Sequence, residues 1–561
     1  MSEASDVLIF LGVLALYYVI FFYQNTVSRL ISSLRPGVGG FGSGSGAAAS
    51  RARITTAATT KPVLPSEVEV LVVGSGNAGL SAALAAAQAG ARRVLVVDKC
   101  PASWAGGNSY FTAGAYRFVH GGLDDVRPLV GNLDGVIEEK IDLPAYTHED
   151  FEDDLRRVCG RRSDPRLVKA LVDESAAAVR WLARLGVRFH LSFNRQAYVV
   201  HGKIKFWGGL CLRAAEGGKS LIRDLQEAAR RHAVHVAYST AFLGLERDWT
   251  TGELHVSVDA DGVRRTIAAK AVVLAAGGFE ANPRLRSRYL GPGWDMALVR
   301  GTPYNTGEVL ETAMRCLDAA PASNWSGCHS VAWDARADPL AGDRDASNEL
   351  TKSGYPLGLM LNLEGVRFVD EGADLRNYTT WLRNEEYRPE RVHRVEADTL
   401  EELGDKLCAG GEYRRSDSTR QERLLAHHPR VQPGGAPSPG GEPSPEMGPL
   451  HQGRPVDAVQ GHAARSAQVQ LGYAAREAPF LAVRVTCGIT FTFGGLKVDP
   501  ATAQLLRQSN GHPNRGIYCV GEMMGGLFYQ NYPGGSGLTA GTVFGRRAGQ
   551  AAAAAIKADF K

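Results

Sequence analysis

Three features of the sequence predict an α/β fold built around a parallel β-sheet. A Val-rich apolar run at 67–73 leads into a glycine-containing turn, and the Ala/Leu-rich run at 80–89 favours a helix. A second apolar run at 93–98 then ends in an acid, Asp98. Strand, glycine turn, helix and strand in this order form a βαβ unit with parallel strands. The chain has 561 residues, enough for two or more domains with substantial cores.

The turn inside this unit reads GSGNAG and has the GxGxxG spacing. In this spacing Gly74 permits a tight turn, Gly76 lets the backbone approach a pyrophosphate, and Gly79 lets the helix lie close to the strand. The helix N-terminus then offers free N–H groups and its dipole to the anion. Asp98 stands where an acid binds the ribose hydroxyls of an adenosine. We therefore predict a dinucleotide site that also contains Asn77, Ala78 and Lys99.

Later stretches favour a flavin dinucleotide over a nicotinamide one. A second glycine-rich loop, WAGGNS at 104–109, follows the acid, where a nicotinamide site has no use for it. An extended run at 264–274 ends in AAGGF, and a late strand ends in Gly-Glu before NYPGGSGL opens a helix. These stretches add the following predicted cofactor residues: Gly106, Gly107, Asn108, Ser109, Ala276, Gly277, Gly278, Glu522, Ser536, Gly537 and Leu538. Further helices are predicted at 164–186, 220–232 and 305–319.

At these motifs the chain resembles the fumarate reductase/succinate dehydrogenase flavoprotein family (FAD-dependent oxidoreductase 2 type), in the branch that contains tricarballylate dehydrogenase. GSGNAGLSAA, GGNSYFTAG, AAGGFEAN, GVRFVDEGADLRNYT, GITFTFGGLKVD and GEMMGGLFYQNYPGGSGLTAGTVFGRRAG carry the resemblance. It implies FAD, bound by a Rossmann-like domain of the GR2 type, with an inserted α+β capping domain that closes over a small-molecule substrate. We expect the FAD-binding domain at 66–299 and 486–561, and the capping domain at 300–485.

The family's chemistry is hydride transfer between flavin N5 and a carbon beside a carbonyl or carboxylate, as dehydrogenase or as reductase. The resemblance implies Arg376 as the acid, one residue later than the strict spacing, and His329 as a substrate-binding histidine. The alternatives are an arginine paired with Asp370 or Asp374, and an ordinary polar loop histidine. Covalent relatives carry a histidine near the second glycine-rich loop; ASWAGGNSYFT contains none, so we expect non-covalent FAD.

Two departures from the family pattern concern the substrate. Phe491 stands at the place of the family's HTxGG histidine, and Tyr532 at the place of the arginine in NRLGGN. Those two residues normally hold a dicarboxylate, so their loss argues against fumarate or succinate. The YPG element resembles the ketosteroid dehydrogenase branch, in which a Tyr hydroxyl and a backbone N–H hold a ketone oxygen. Tyr532 and the Ser536 N–H are thus a candidate oxyanion hole; Tyr529 is a second candidate proton carrier, or packs against the flavin.

The N-terminus predicts a membrane anchor at 1–30. The run VLIFLGVLALYYVIFFY at 7–23 has no charge, and the basic residues follow it, which predicts a single span with the catalytic part facing the cytosol. The endoplasmic reticulum is one membrane that fits. A cleaved signal or a buried helix is the alternative. A Gly/Ser/Ala-rich linker is expected at 31–65.

The segment 409–477 lacks hydrophobic periodicity and is crowded with Pro, Gly, Arg, Gln and His. It is either a disordered surface insertion or a stretch of sequence translated out of frame. Both alternatives stay open, and no function is assigned to the segment.

Composition narrows the classes of partner and of activity. The 63 basic and 59 acidic residues nearly balance, so nothing favours a nucleic acid partner, and the eight cysteines show no metal-ligand spacing. Besides the enzyme, we consider a membrane reductase coupled to a quinone or haem, with an unknown electron acceptor. We also consider a flavin-binding protein without turnover.

Overall fold

A computed structural model describes residues 64–133, 138–206, 208–248, 250–351, 395–409 and 480–558. The predicted anchor, Arg376 and nearly all of both the linker and the suspect segment lie outside these residues. Within them, no helix combines the length and the hydropathy that a bilayer span requires.

The described strands, in chain order, are β1 Glu67–Val73, β2 Val94–Val97, β3 Ala115–Tyr116, β4 Ile141–Asp142, β5 Phe189–Leu191, β6 Ala197–Val200, β7 Lys203–Phe206, β8 Leu212–Ala214, β9 His235–Ala237, β10 Thr240–Arg247, β11 Leu254–Ala260, β12 Val263–Leu274, β13 Leu298–Val299, β14 Pro321–Ala322, β15 Cys328–Asp334, β16 Val395–Ala397, β17 Phe480–Ala482, β18 Val485–Thr492, β19 Gly495–Leu496, β20 Gln504–Leu506 and β21 Pro513–Cys519. The helices of seven or more residues are α1 Asn77–Gln88, α2 His148–Val158, α3 Pro165–Arg184, α4 Gly218–Arg231, α5 Pro283–Tyr289, α6 Glu308–Cys316, α7 Leu400–Ala409 and α8 Ser536–Ala558. Each helix and strand that the sequence predicted within these residues is present, with bounds that differ by up to three residues.

An eight-stranded sheet forms the centre of the molecule and confirms the predicted parallel βαβ unit. Its strands run in the order β10-β11-β12-β1-β2-β9, with β21 pairing the carboxyl half of β12 and β20 pairing β21. β1 is parallel to both β2 and β12, with Val72 opposite Val96 and Val273. The carboxyl ends of β1, β2, β12 and β21 therefore meet at one edge, where an open α/β sheet places its ligand.

Helix α8 packs on α1 through a stripe of glycines, Gly541, Gly545 and Gly549. A Cβ on Gly545 would lie only 2.6 Å from the carbonyl oxygen of Ala78, closer than side chains approach backbone. The two backbones can touch only because these positions lack side chains. This crossing brings the N-terminus of α8 beside the GxGxxG turn, although the two are far apart in the sequence.

Smaller sheets complete the fold. β18 pairs with β13 in parallel and with β15 in antiparallel, which brings His329 opposite Phe491. A separate pair, β16 with β17, joins the described residues on either side of the undescribed segment 410–479. The predicted boundary of the capping domain near 485 coincides with the start of β18, and the domain limits remain predictions.

Candidate active site

One cavity runs along the carboxyl edge of the central sheet to the strands β15 and β18. Most of the residues predicted from the sequence line it: Gly74, Gly76, Asn77, Ala78, Asp98, Lys99, Gly107, Asn108, Ser109, Ala276, Gly277, His329, Glu522, Tyr532, Gly537 and Leu538. Gly79, Gly106 and Gly278 lie behind the wall, where they permit close packing, and Ser536 is buried without lining the cavity. Residues separated by most of the chain thus share one site.

The first glycine turn leaves a space that suits a pyrophosphate. Gly74 has φ +106°, and a Cβ there would overlap the backbone of Ala275. At Gly76, by contrast, a Cβ would have no protein atom nearer than 3.7 Å. The backbone at Gly76 therefore faces room that the protein does not fill, at the N-terminus of α1. The residues present fit a dinucleotide.

Asp98 is held in place at the end of β2. Its Oδ2 accepts hydrogen bonds from the backbone N–H and the hydroxyl of Ser75, at 2.8 and 2.7 Å, and its Oδ1 accepts one from the N–H of Cys100. A carboxylate has about four acceptor sites, so capacity remains for a ribose hydroxyl. The neighbouring Lys99 forms an ion pair with Glu308 on α6, which ties the two sides of the cavity together.

The second glycine-rich loop is fixed by Asn108. Its amide nitrogen donates to the carbonyl oxygen of Thr490 at 2.7 Å, and its amide oxygen accepts from the N–H of Thr302. Gly106, with φ +106°, packs against Ile222 of α4, where a Cβ would lie 2.7 Å from the side chain. The loop thus connects the cofactor half of the cavity to strand β18.

The N-terminus of α8 corrects one prediction. The Ser536 N–H donates to the Pro533 carbonyl at 3.0 Å, and its hydroxyl donates to the same oxygen. Because this N–H is already used, Ser536 cannot complete the predicted oxyanion hole. Gly537 and Leu538 line the cavity in the first turn of α8, whose N–H groups have no partner within the helix. Asn77 donates its amide N–H to the Leu538 carbonyl, which fixes α8 against α1.

A buried glutamate, Glu280, and a half-buried one, Glu522, meet beside the cavity, and the sequence identified only Glu522. Glu522 accepts a hydrogen bond from the Thr492 N–H at 2.8 Å, and Glu280 is fully buried behind it. One oxygen of Glu280 accepts from the amides of Asn108 and Asn305, both at 2.5 Å. Burial raises the pKa of both carboxyl groups above their ordinary value. Glu280 follows AAGGF directly, but its acid partner lies in a distant part of the sequence.

The far end of the cavity is aromatic. The Tyr532 ring lies 4.8 Å from that of Phe491 and 4.7 Å from that of His329, in edge-to-face arrangements. Phe528 packs on both Phe491 and Tyr532. The two departures from the family pattern therefore lie side by side and line one apolar wall.

His329 is held as a neutral imidazole. Its Nδ1 lies 3.2 Å from the Asn531 Oδ1, and that oxygen also accepts the Tyr532 N–H. Since the Asn531 atom is thus an acceptor, His329 donates its Nδ1–H and leaves Nε2 as an acceptor. Burial, with the nearby charge of Arg300, lowers the pKa of His329 to about 4.

This pKa predicts how stability depends on pH. A depressed histidine pKa contributes stability above the unfolded value of 6.5, and that contribution is lost as the pH falls toward 4. We expect His329→Phe to reduce the loss of unfolding free energy between pH 7 and pH 4.5 by about 2 kcal/mol, measured by urea denaturation. His232→Gln, at an exposed histidine after α4, is the control. Equal pH dependence in wild type and His329→Phe would show that His329 titrates normally.

Arg300 is a cavity residue that the sequence did not single out. It is 8% exposed, and its guanidinium donates to the hydroxyls of Thr351 and Thr490 and to the amide oxygen of Asn348. No spacing marks it, because its partners come from two separate parts of the chain, 348–351 and 490, both distant from it in sequence. It places a positive charge near His329.

One predicted catalytic residue, Tyr529, does not line the cavity, and another lies outside the described residues. Tyr529 is absent from the residues that line it; its carbonyl oxygen accepts from the amide of Asn324. The structure thus gives no support to a proton carrier at Tyr529. Arg376 lies outside the described residues, and its role stays a prediction.

Comparison with known proteins decides the family. A family model described as FAD binding domain matches residues 69–538, most of the chain. The chain belongs to this family. It is 27% identical over 501 residues to a probable fumarate reductase of Shewanella frigidimarina, covering 87% of this chain and 75% of the relative. A vinyl phenol reductase of Lactiplantibacillus plantarum is 26% identical over 516 residues, with coverage of 86% and 96%.

Solved structures show the same fold. The open conformation of a flavocytochrome c3 fumarate reductase gives a TM-score of 0.58 at 22% identity, covering 88% of this chain and 79% of that one. The 3-ketosteroid Δ1-dehydrogenase of Sterolibacterium denitrificans also gives 0.58, at 18% identity, with coverage of 87% and 100%. The resemblance to the fumarate reductase flavoproteins is confirmed. The protein is an FAD-dependent oxidoreductase that acts on CH–CH groups.

Proposed function

We propose that this flavoprotein acts on a C–C bond beside the carbonyl or carboxyl group of a compound with an apolar, planar body. The observation that carries the proposal is the aromatic wall formed by Phe491, Phe528 and Tyr532 around His329. A dicarboxylate needs a cation or a donor at both ends, and Phe491 offers neither. Ring faces and edges instead suit a flat apolar group. Bound FAD supplies the hydride chemistry.

Three side chains at the aromatic end of the cavity have chemical roles in the proposal. The Tyr532 hydroxyl donates to the substrate's carbonyl oxygen and stabilises the negative charge that develops there. His329, being neutral, orients the substrate without placing a positive charge in the apolar wall. Arg300 provides the cation for a substrate that carries one carboxylate. The resemblance implies Arg376 as the residue that donates a proton to the neighbouring carbon.

Anaerobic absorption spectra test the proposal in both directions of the reaction. The FAD-loaded protein is mixed with saturated compounds when oxidised and with unsaturated ones when reduced. The panel contains aryl-substituted enoates, cyclic ketones, and the pair fumarate and succinate. We expect an apolar carbonyl compound to bleach or restore the flavin band, and the dicarboxylates to leave it unchanged at equal concentration. Turnover of fumarate alone would overturn the assignment of the aromatic wall.

A further inference from the structure

Glu280 and Glu522 form a pair of adjacent acids whose geometry favours a shared proton. The side chains of Glu280 and Glu522 lie next to each other, because the Asn305 amide nitrogen donates to an oxygen of each, at 2.5 and 3.4 Å. A Cβ on Gly278 would fall against oxygens of both carboxyl groups, so glycine is needed for them to meet. Two carboxylates have no donor between them. Burial and the repulsion between two adjacent carboxylates therefore both favour a proton on one of the two groups.

An orphaned oxygen supports the same conclusion. The Oε2 atom of Glu280 is buried and receives no N–H or other hydroxyl group from the described residues. An unpaired buried acceptor is costly, whereas a proton carried by Glu522 would satisfy it. Leaving both groups ionised would place two adjacent negative charges in a site closed to water on the Glu280 side.

The pair lies between the second glycine-rich loop and the aromatic end of the cavity. Glu280 is bonded to Asn108 of the second glycine-rich loop, and Glu522 to the N–H of Thr492, the residue after Phe491. Glu522 lines the cavity, so a proton can reach the pair from there. Among the described residues, the other charged or titratable groups facing it are Arg286, which donates to the Glu280 carbonyl, and Cys328. Burial raises the pKa of the Cys328 thiol to about 12, so it stays neutral.

We propose that Glu280 and Glu522 hold one shared proton site that is linked to the redox state of the bound FAD. When the pair has lost its proton at alkaline pH, reduction of FAD by two electrons from the reductant adds negative charge nearby, and one proton from water returns to the pair. The inference rests on the FAD cofactor and not on the substrate class, so the two proposals can fail separately.

Redox potentiometry of the FAD-loaded protein at graded pH tests the linkage. In the wild type, the midpoint potential of FAD should fall more steeply with rising pH over an alkaline window. One extra proton taken up per two electrons adds about 30 mV per pH unit to the slope. Glu280→Gln and Glu522→Gln each leave one acid and an amide that mimics the protonated partner. Both variants should remove the steeper window. Glu174→Gln, at the acid paired with Arg547 away from the cavity, should keep it.

Infrared difference spectra of wild type, reduced minus oxidised, keep the proposal testable even if a variant loses FAD. In the alkaline window, reduction should produce the C=O stretch of a protonated carboxylic acid, which shifts in D2O. A potential of constant slope together with no such band would overturn the proposal. An unchanged steep window in both Gln variants would overturn it as well.

Discussion

Replacing Gly76 by valine should remove FAD from the protein without unfolding it. The wild-type glycine lines the cavity, and a Cβ there would have its nearest protein atoms at 3.7 Å, an ordinary contact distance. A valine side chain would instead occupy the room into which the pyrophosphate fits, and would separate it from the N–H groups of α1. Loss of two charge-assisted hydrogen bonds corresponds to at least about 100-fold weaker binding. The flavin-to-protein absorbance ratio after gel filtration measures it, with circular dichroism to report the fold.

Two other glycines serve as controls for this experiment. A Cβ on Gly131 would have no neighbouring atom within 4 Å, and Gly131 does not line the cavity, so Gly131→Val should keep FAD. Gly79 is enclosed by the backbone of Gly74, so Gly79→Val should disturb the fold itself. A Gly76→Val protein that keeps a full complement of FAD would contradict the assignment of the first glycine turn.

Replacing Tyr532 by phenylalanine should lower kcat by about 100- to 1,000-fold, the usual effect of removing one donor to a developing oxyanion. The ring would remain, and with it the edge-to-face contacts to Phe491 and His329. FAD content and thermal stability should therefore stay close to wild type. Stopped-flow measurement of flavin bleaching, with the compound that reacts in the spectral panel, separates this step from product release.

The matched control for the hydroxyl group is Tyr289→Phe. Tyr289 packs against Phe279 and Trp325 and does not line the cavity. Its turnover should equal that of the wild type. If Tyr532→Phe reacted within about twofold of wild type, another group would have to donate to the substrate oxygen. That group would not be the Ser536 N–H, because it already donates to the Pro533 carbonyl.

The cofactor half of the site could be predicted because its signals are local. Gly74, Gly76 and Asp98 act through the short βαβ unit, so their spacing in the sequence already defines their geometry. The same motifs could not separate residues that touch the cavity from those behind its wall. Gly278 illustrates this, since its lack of a side chain serves two carboxyl groups and not the cofactor directly.

The substrate half was less predictable because its contacts are not local. Glu280 and Arg300 each depend on partners from distant segments, and neither has a spacing that marks it. The Ser536 prediction failed for a different reason. In the turn before α8, the N–H and the hydroxyl of Ser536 both donate to the Pro533 carbonyl. The motif comparison does not contain this local hydrogen bonding.

The glycine stripe of α8 has a consequence for how the protein is made. The Asn77 amide bonds to Leu538 across 461 positions of sequence, so the first and last parts of the cavity are far apart in order of synthesis. Contacts of such separation form late, because a long loop must close first. The βαβ unit emerges from the ribosome long before α8 can cover it. We therefore expect the nascent chain to bind FAD only after α8 has been released, which makes cofactor capture a late step of folding.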